Sequence, residues 1–185
     1  GKRQEADRLA RFALEKMGKV DILINNAGTN VPQAVDAITD AEWDRIMEIN
    51  LNSVMALTRA LVPQMKERKW GRVIHISSIM AVVSNNGRNV YSATKAALVG
   101  MSRASALDLG ASGVTVNCIA PGPFLTDLPA SVLSKEDQER FAKMTALGRW
   151  GEPKELVGTA LLLASDAGSY ITGANFIVDG GFTAR

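Results

Sequence analysis

Several things are scarce in this 185-residue chain, and each scarcity excludes something. There is one cysteine, so no internal disulfide can form. That residue, Cys118, lies in the run Val114-Thr115-Val116-Asn117-Cys118-Ile119-Ala120, where a buried inert thiol is expected. Such a thiol is compatible with a reducing, cytoplasmic setting. The one histidine, His75, sits inside an apolar strand and is read as a core imidazole without a catalytic role. No cysteine and histidine grouping suggests a metal. The formal net charge is only +2, and basic residues are scattered rather than interleaved with aromatics, which argues against nucleic acid. The one dense basic group, Lys66, Arg68, Lys69 and Arg72, reads as a solvated helix end. No apolar run approaches about 20 residues, so no membrane span is expected. Gly1-Lys2-Arg3-Gln4-Glu5 carries neither an apolar targeting segment nor a starting methionine. There is no repeat, low-complexity segment or linker, so residues 1–185 read as a single domain.

What is present is an alternation. Leu9, Phe12, Ala13 and Leu14 recur at helical spacing, and Gly18 stands where a helix should stop. Val20 to Ile24 reads as a short strand that turns at Asn25-Asn26-Ala27-Gly28. Thr39 to Glu42 fits a capping box before a long helix through Ile46, Leu57 and Met65. A strand from Arg72 to Ser77, a polar loop, a helix to about Leu109, and a strand from Val114 to Ala120 follow. Ser134 caps a short charged helix, Pro153 opens another, and Asn175 to Val178 forms the last strand. Short apolar strands between helices predict an α/β, doubly wound parallel sheet. In such a sheet ligands bind beyond the carboxyl ends of the strands, which sets Asn25–Gly28, Ser77–Ser78 and Pro121–Gly122 along one edge.

Tyr91-Ser92-Ala93-Thr94-Lys95 carries the chemistry. Positions four apart share a helix face, so the phenol and the ammonium are neighbours. A nearby cation favours the phenolate, and a tyrosine so tuned exchanges a proton with a carbonyl or alcohol oxygen near neutral pH. Ser78, at the end of the preceding strand, can hydrogen-bond the same oxygen. Ser77 reads as a structural hydroxyl, and Arg149 and Trp150 as structural or interfacial. The spacing alone more readily fits a helix with one aromatic and one solvated lysine; the surrounding residues have to reverse that balance.

Those residues resemble the short-chain dehydrogenase/reductase family. The matches are Asn25-Asn26-Ala27-Gly28 after a strand, Asn50 in Ile49-Asn50-Leu51, Ser78, Tyr91-x-x-x-Lys95, Pro121-Gly122, and Val178-Asp179-Gly180-Gly181. Their order is specific and spans almost the whole chain. The likeness is greatest to the bacterial branch holding 3-oxoacyl-carrier-protein reductases and gluconate and glucose dehydrogenases. The resemblance implies a Rossmann-like fold, NAD or NADP as cofactor, and a catalytic tetrad of Asn50, Ser78, Tyr91 and Lys95. Tyr91 would be acid in reduction and base in oxidation, and Lys95 would lower its pKa and hold the nicotinamide ribose. Ser78 would polarise the substrate oxygen, and Asn50 would bind a relay water. Asn26, Ala27, Gly28, Tyr91, Lys95, Pro121, Gly122 and Thr126 would contact the cofactor, with Gly122 letting backbone approach a flat ring. Asp127 would be solvated or a cap. A small carbonyl or alcohol would be the substrate, flanked by the polar loop Val82 to Asn89 and a lid between Leu125 and Leu147. A homo-oligomer, dimer or tetramer, would form through the helices spanning Asp40–Met65 and Tyr91–Leu109.

The chain departs from the family in one respect: it holds no Thr-Gly-x-x-x-Gly-x-Gly turn, which seats the dinucleotide pyrophosphate. The expectation is therefore an N-terminally incomplete Rossmann-like domain, with an exposed apolar edge at Val20–Ile24, that on its own is inactive and binds NAD(P) poorly. The alternative is a truncated or non-catalytic nucleotide-binding or regulatory protein of the same fold; epimerisation or dehydration by the same tetrad is also open.

Overall fold

A computed structural model describes residues 3–126 and 134–184. The elements are α1 (Arg3–Met17), β1 (Ile22–Asn25), α2 (Asp40–Met47), α3 (Ser53–Glu67), β2 (Gly71–Ile76), α4 (Asn89–Leu109), β3 (Val114–Pro121), α5 (Lys135–Lys143), α6 (Val157–Ala164) and β4 (Asn175–Val178). The four strands form one all-parallel sheet in the order β1-β2-β3-β4. The predicted α/β alternation is therefore the observed one.

Side-chain parity shows how the sheet is covered. Val73 on β2, and Val114 and Val116 on β3, pack with Ala10, Leu61, Met65 and Leu109 from α1, α3 and α4. Cys118 joins Val54, Leu98 and Val99 on the same side. The alternate residues Ile74 and Ile119 pack against Leu163 and Ala160 of α6 on the other side. Both faces of β2 and β3 are thus buried. On β1 only Leu23 and Asn25 are buried; Ile22 and Ile24 remain 41% and 48% exposed.

Local stops and caps follow their residue chemistry. Gly18 takes φ +74° at the end of α1, where a side chain would be strained. Ser134 Oγ accepts from Asp137 N at the start of α5. The capping box at α2 is only half formed: Thr39 Oγ1 accepts from Glu42 N, but the Glu42 carboxylate turns to Arg45 instead. The long helix predicted through Ile46–Met65 is interrupted by one π-helical turn, Glu48–Asn52. Arg72 is not part of a solvated helix end. It is 3% exposed, with its guanidinium 4.4 Å from the Trp70 ring and donating to Ser165 O.

Candidate active site

The site gathers beyond the carboxyl ends of β1, β2 and β3. β2 ends at Ile76, and Ser77 donates from Oγ to Lys95 O at 3.0 Å, which ties the strand end to α4 and gives Ser77 the structural role expected of it. Ser78, in extended conformation, opens a short 3-10 turn, its Oγ accepting from Met80 N at 3.1 Å. α4 starts two residues before Tyr91 and carries Tyr91 and Lys95 one turn apart. Lys95 Nζ lies 5.5 Å from the centre of the Tyr91 ring. Lys95 is buried, and its Nζ donates to Ile76 O at 2.7 Å.

The electrostatics differ from the cation-and-phenol picture. Burial raises the Tyr91 pKa, and hydrogen bonding by Ser78 and the charge of Arg88 only partly oppose this. Burial also pushes Lys95 down to about 8. Desolvation is thus the largest influence on both groups. The phenol rests protonated, and the ammonium keeps most of its charge at neutral pH.

The π turn explains how Asn50 reaches this site. Its extra residue turns the Asn50 amide inward, fully buried. Oδ1 accepts from Thr29 N at 2.8 Å, while Nδ2 donates to Thr29 O at 2.9 Å and to Thr94 Oγ1 at 3.2 Å. Asn50 therefore clamps the loop after β1 onto α4. That loop brings Gly28 over the site: a Cβ at Gly28 would stand 3.4 Å from Lys95 Nζ and 3.6 Å from Asn50 Oδ1. Asn26 and Ala27 are exposed on the same turn. Asn25 points inward, its Nδ2 bonded to His75 Nδ1 at 3.0 Å and to Thr58 Oγ1 at 3.4 Å.

Pro121 and Gly122 end β3, and Gly122 N donates to Val178 O at 2.9 Å. Here the structure supplies a reason for glycine other than approach to a flat ring. A Cβ at Gly122 would fall 2.6 Å from Asp179 Cα, so packing against the last turn excludes a side chain. Thr126 is exposed, and Asp127 and part of the Leu125–Leu147 stretch lie outside the described residues. Arg149 pairs with Glu155, and the Trp150 indole donates to Gln138 O, structural roles for both.

The structure therefore brings Gly28, Asn50, Ser78, Tyr91 and Lys95 together. Thr29, Thr94 and the Ile76 carbonyl escape sequence reasoning, because their roles depend on contacts 19 to 44 positions apart; His75 is the core imidazole the sequence suggests. A cavity of about 630 Å³ lies elsewhere, between α3 and α4, lined by Met55, Val62, Pro63, Met101 and Leu109. Arg59, Lys66 and Asp108 also line it, but none of the residues Gly28, Asn50, Ser78, Tyr91 and Lys95 does, so chemistry rather than volume locates the active site.

No helix of the described residues is long and apolar enough to cross a membrane, and no group of three or more histidine, cysteine or carboxylate side chains among them could hold a metal ion. Residues 1–183 match the family model described as enoyl-(acyl carrier protein) reductase. A 3-oxoacyl-[acyl-carrier-protein] reductase of Synechocystis sp. is 36% identical over 178 residues, 96% of this chain and 70% of that protein. A reductase of the same description from Haemophilus influenzae is 39% identical over 164 residues, 89% of this chain and 67% of that one. The solved structure of a gluconate 5-dehydrogenase from Burkholderia cenocepacia, in complex with NADP and tartrate, superposes with a TM-score of 0.95 at 31% identity, over all of this chain and 72% of its own. With the Tyr91 and Lys95 geometry, these likenesses show that the chain belongs to the short-chain dehydrogenase/reductase family of NAD(P)-dependent oxidoreductases.

Proposed function

We propose that this protein interconverts an alcohol and a carbonyl, with Tyr91 as the general acid and base. The carrying observation is the pair itself: a half-buried, protonated phenol whose ring centre lies 5.5 Å from a buried ammonium, with the Ser78 hydroxyl beside it. In the reducing direction Tyr91 gives its proton to the substrate oxygen while Ser78 hydrogen-bonds that oxygen. Lys95 stabilises the phenolate that remains. In the oxidising direction the phenolate must be present first, and its raised pKa makes this direction improve as pH rises. Asn50 holds the loop after β1 in place and keeps one lone pair of Oδ1 for a relay water.

The residues present fit a nicotinamide ribose. Lys95 Nζ spends one donor on Ile76 O and keeps others, and Gly28 leaves the space above it open. Asn26, Ala27 and Gly28 on one side, Tyr91 and Lys95 below, and Pro121, Gly122 and Thr126 on the other would hold the cofactor, NAD or NADP. When bound, the nicotinamide supplies or accepts the hydride. The relatives named above act on a 3-oxoacyl thioester and on gluconate, and a small carbonyl or alcohol is the substrate class this supports. A single Rossmann-like domain, a cytoplasmic place and assembly of copies through α3 and α4, whose outer faces frame the 630 Å³ cavity, belong to the same reading.

The test uses the full-length gene product. Tyr91→Phe keeps the ring and removes the proton. Turnover, followed at the reduced-nicotinamide band, should fall by about 10²- to 10⁴-fold, with cofactor affinity nearly unchanged. Wild-type turnover in Tyr91→Phe would remove the phenol from the mechanism.

A further inference from the structure

Arg88 is the residue this reading leaves unused. Most arginines of the described residues reach a carboxylate, among them Arg45, Arg68, Arg72 and Arg149. Arg11 and Arg103 do not, and both are exposed, where water solvates a lone guanidinium at no cost. Arg88 has no carboxylate partner among the described residues either, yet it is half-buried. Partial burial of an unpaired cation is unfavourable and is tolerated where a counter-charge arrives from outside.

Its backbone is held firmly. Arg88 N donates to Asn85 O at 3.2 Å, and its carbonyl accepts from Ser92 N at 2.7 Å. Gln33 N donates to Gly87 O at 3.0 Å, and Asn89 Nδ2 donates to Gln33 O at 3.2 Å. Gln33 and Arg88 thus form an isolated parallel bridge that clasps the loop after β1 to the start of α4. Arg88 is the N-cap residue of α4, three positions before Tyr91, its backbone (φ −96°, ψ 17°) just outside the helix. Its charge is felt at the phenol.

We propose that Arg88 is a specificity-determining residue that binds a carboxylate on the substrate whose carbonyl or alcohol oxygen meets Tyr91. This rests on the alcohol and carbonyl reading above and narrows it. A guanidinium offers paired donors that match the two oxygens of a carboxylate, and it stays charged at any working pH. With the two residues only three positions apart, the site suits a short acid whose carboxyl carbon stands one or two bonds from the reacting carbon, such as a 2- or 3-oxo acid or the matching hydroxy acid.

The test compares wild type, Arg88→Ala, Arg88→Gln and Arg88→Lys in the full-length gene product with saturating NADP. Malonate, a charged probe, and malonamide, its neutral counterpart of similar shape, are titrated by calorimetry. Wild type should bind malonate at least 10-fold more tightly than malonamide. Arg88→Ala and Arg88→Gln should erase that difference, and Arg88→Lys should keep part of it. In turnover, kcat/KM for acetoacetate should fall about 10- to 100-fold in Arg88→Ala, and that for methyl acetoacetate should stay within about threefold. Malonate binding that ignores the substitution, or an equal loss for malonate and malonamide, overturns the proposal. The second outcome would mark Arg88 as part of the clasp alone. Should wild type reduce neither acetoacetate nor its ester while malonate binding still depends on Arg88, the anion site stands and the alcohol and carbonyl reading fails.

Discussion

The centre of the sheet and its β1 flank are built differently. β2 is buried from Gly71 to His75 and β3 from Val114 to Ala120, with helices on both sides. The flank is half-open: Leu9 and Phe12 of α1 are 55% and 54% exposed, and Ile22 and Ile24 look out from β1. Lys95 and Tyr91 have shifted pKa values because burial shifts them, and only the centre provides burial. The flank contributes no ionising group to the site. It contributes the turn Asn26–Gly28, backbone that must stay accessible if a ligand is to lie on it.

The largest expected consequence of this division is in stability. Ile74 is 1% exposed between β2 and α6, and Ile74→Ala should cost about 2–5 kcal/mol by removing buried atoms and leaving a cavity. Leu9→Ala, on the exposed face of α1, should cost no more than about 0.5 kcal/mol. Urea unfolding of both variants measures the contrast. Equal losses would mean that the α1 face is covered in the folded protein, and the division would not hold.

A smaller effect separates the two parts by pH. His75 is fully buried; burial first, and then the charge of Lys95, lower its pKa from 6.5 to about 4. Its Nδ1 faces Asn25 Nδ2, so Nδ1 accepts and Nε2 carries the proton, without a partner. Below pH 6.5 the unfolded chain takes up a proton that the folded chain refuses. The stability this residue allows is therefore complete above pH 6.5 and is lost as pH falls toward 4, by roughly 3 kcal/mol in all. His75→Asn removes that titration. Unfolding free energies at pH 7, 5.5 and 4.5 should fall less steeply in the variant. Parallel slopes would show that the imidazole titrates alike in the folded and unfolded chain, and so reaches solvent when folded.

The features legible in the sequence were those set by near neighbours. Gly18 as a stop, Ser134 as a cap and Tyr91 facing Lys95 all follow from spacings of a few residues. The order of strands and helices followed from apolar runs and their punctuation. What depended on distant contacts was not legible. The π turn at Asn50 exists to meet Thr29 and Thr94, which lie 21 and 44 positions away. The direction of the Tyr91 shift was misread because spacing reveals a neighbouring cation but not the depth of burial, and burial dominates. Arg72 looked like one of a solvated group because nothing near it announces that Trp70 and Ser165 will cover it. Ile22, Leu23 and Ile24 are all apolar, so their alternation between open and buried could not be read either.

The finest comparison lies where flank and centre touch, at Gly28. Its backbone approaches Lys95 Nζ so closely that a methyl group would stand 3.4 Å from the ammonium and 3.6 Å from Asn50 Oδ1. Both are ordinary contact distances, so Gly28→Ala should fold normally and leave the melting temperature within a degree or two, by the scale on which about 1 kcal/mol moves a domain of this size by 2–4 °C. The methyl would cover part of the Lys95 face left open to a ribose, and cofactor affinity should weaken by about threefold. Gly28→Val adds bulk that neither the buried lysine nor the clamped asparagine can yield to. Affinity should then fall by 10-fold or more, on the order of 1.4 kcal/mol, while kcat at saturating cofactor changes little, because Tyr91 and Ser78 are untouched. A Gly28→Val protein that binds the cofactor as wild type does would show that the turn moves freely against α4. Asn50 would then not be the clamp that joins flank to centre.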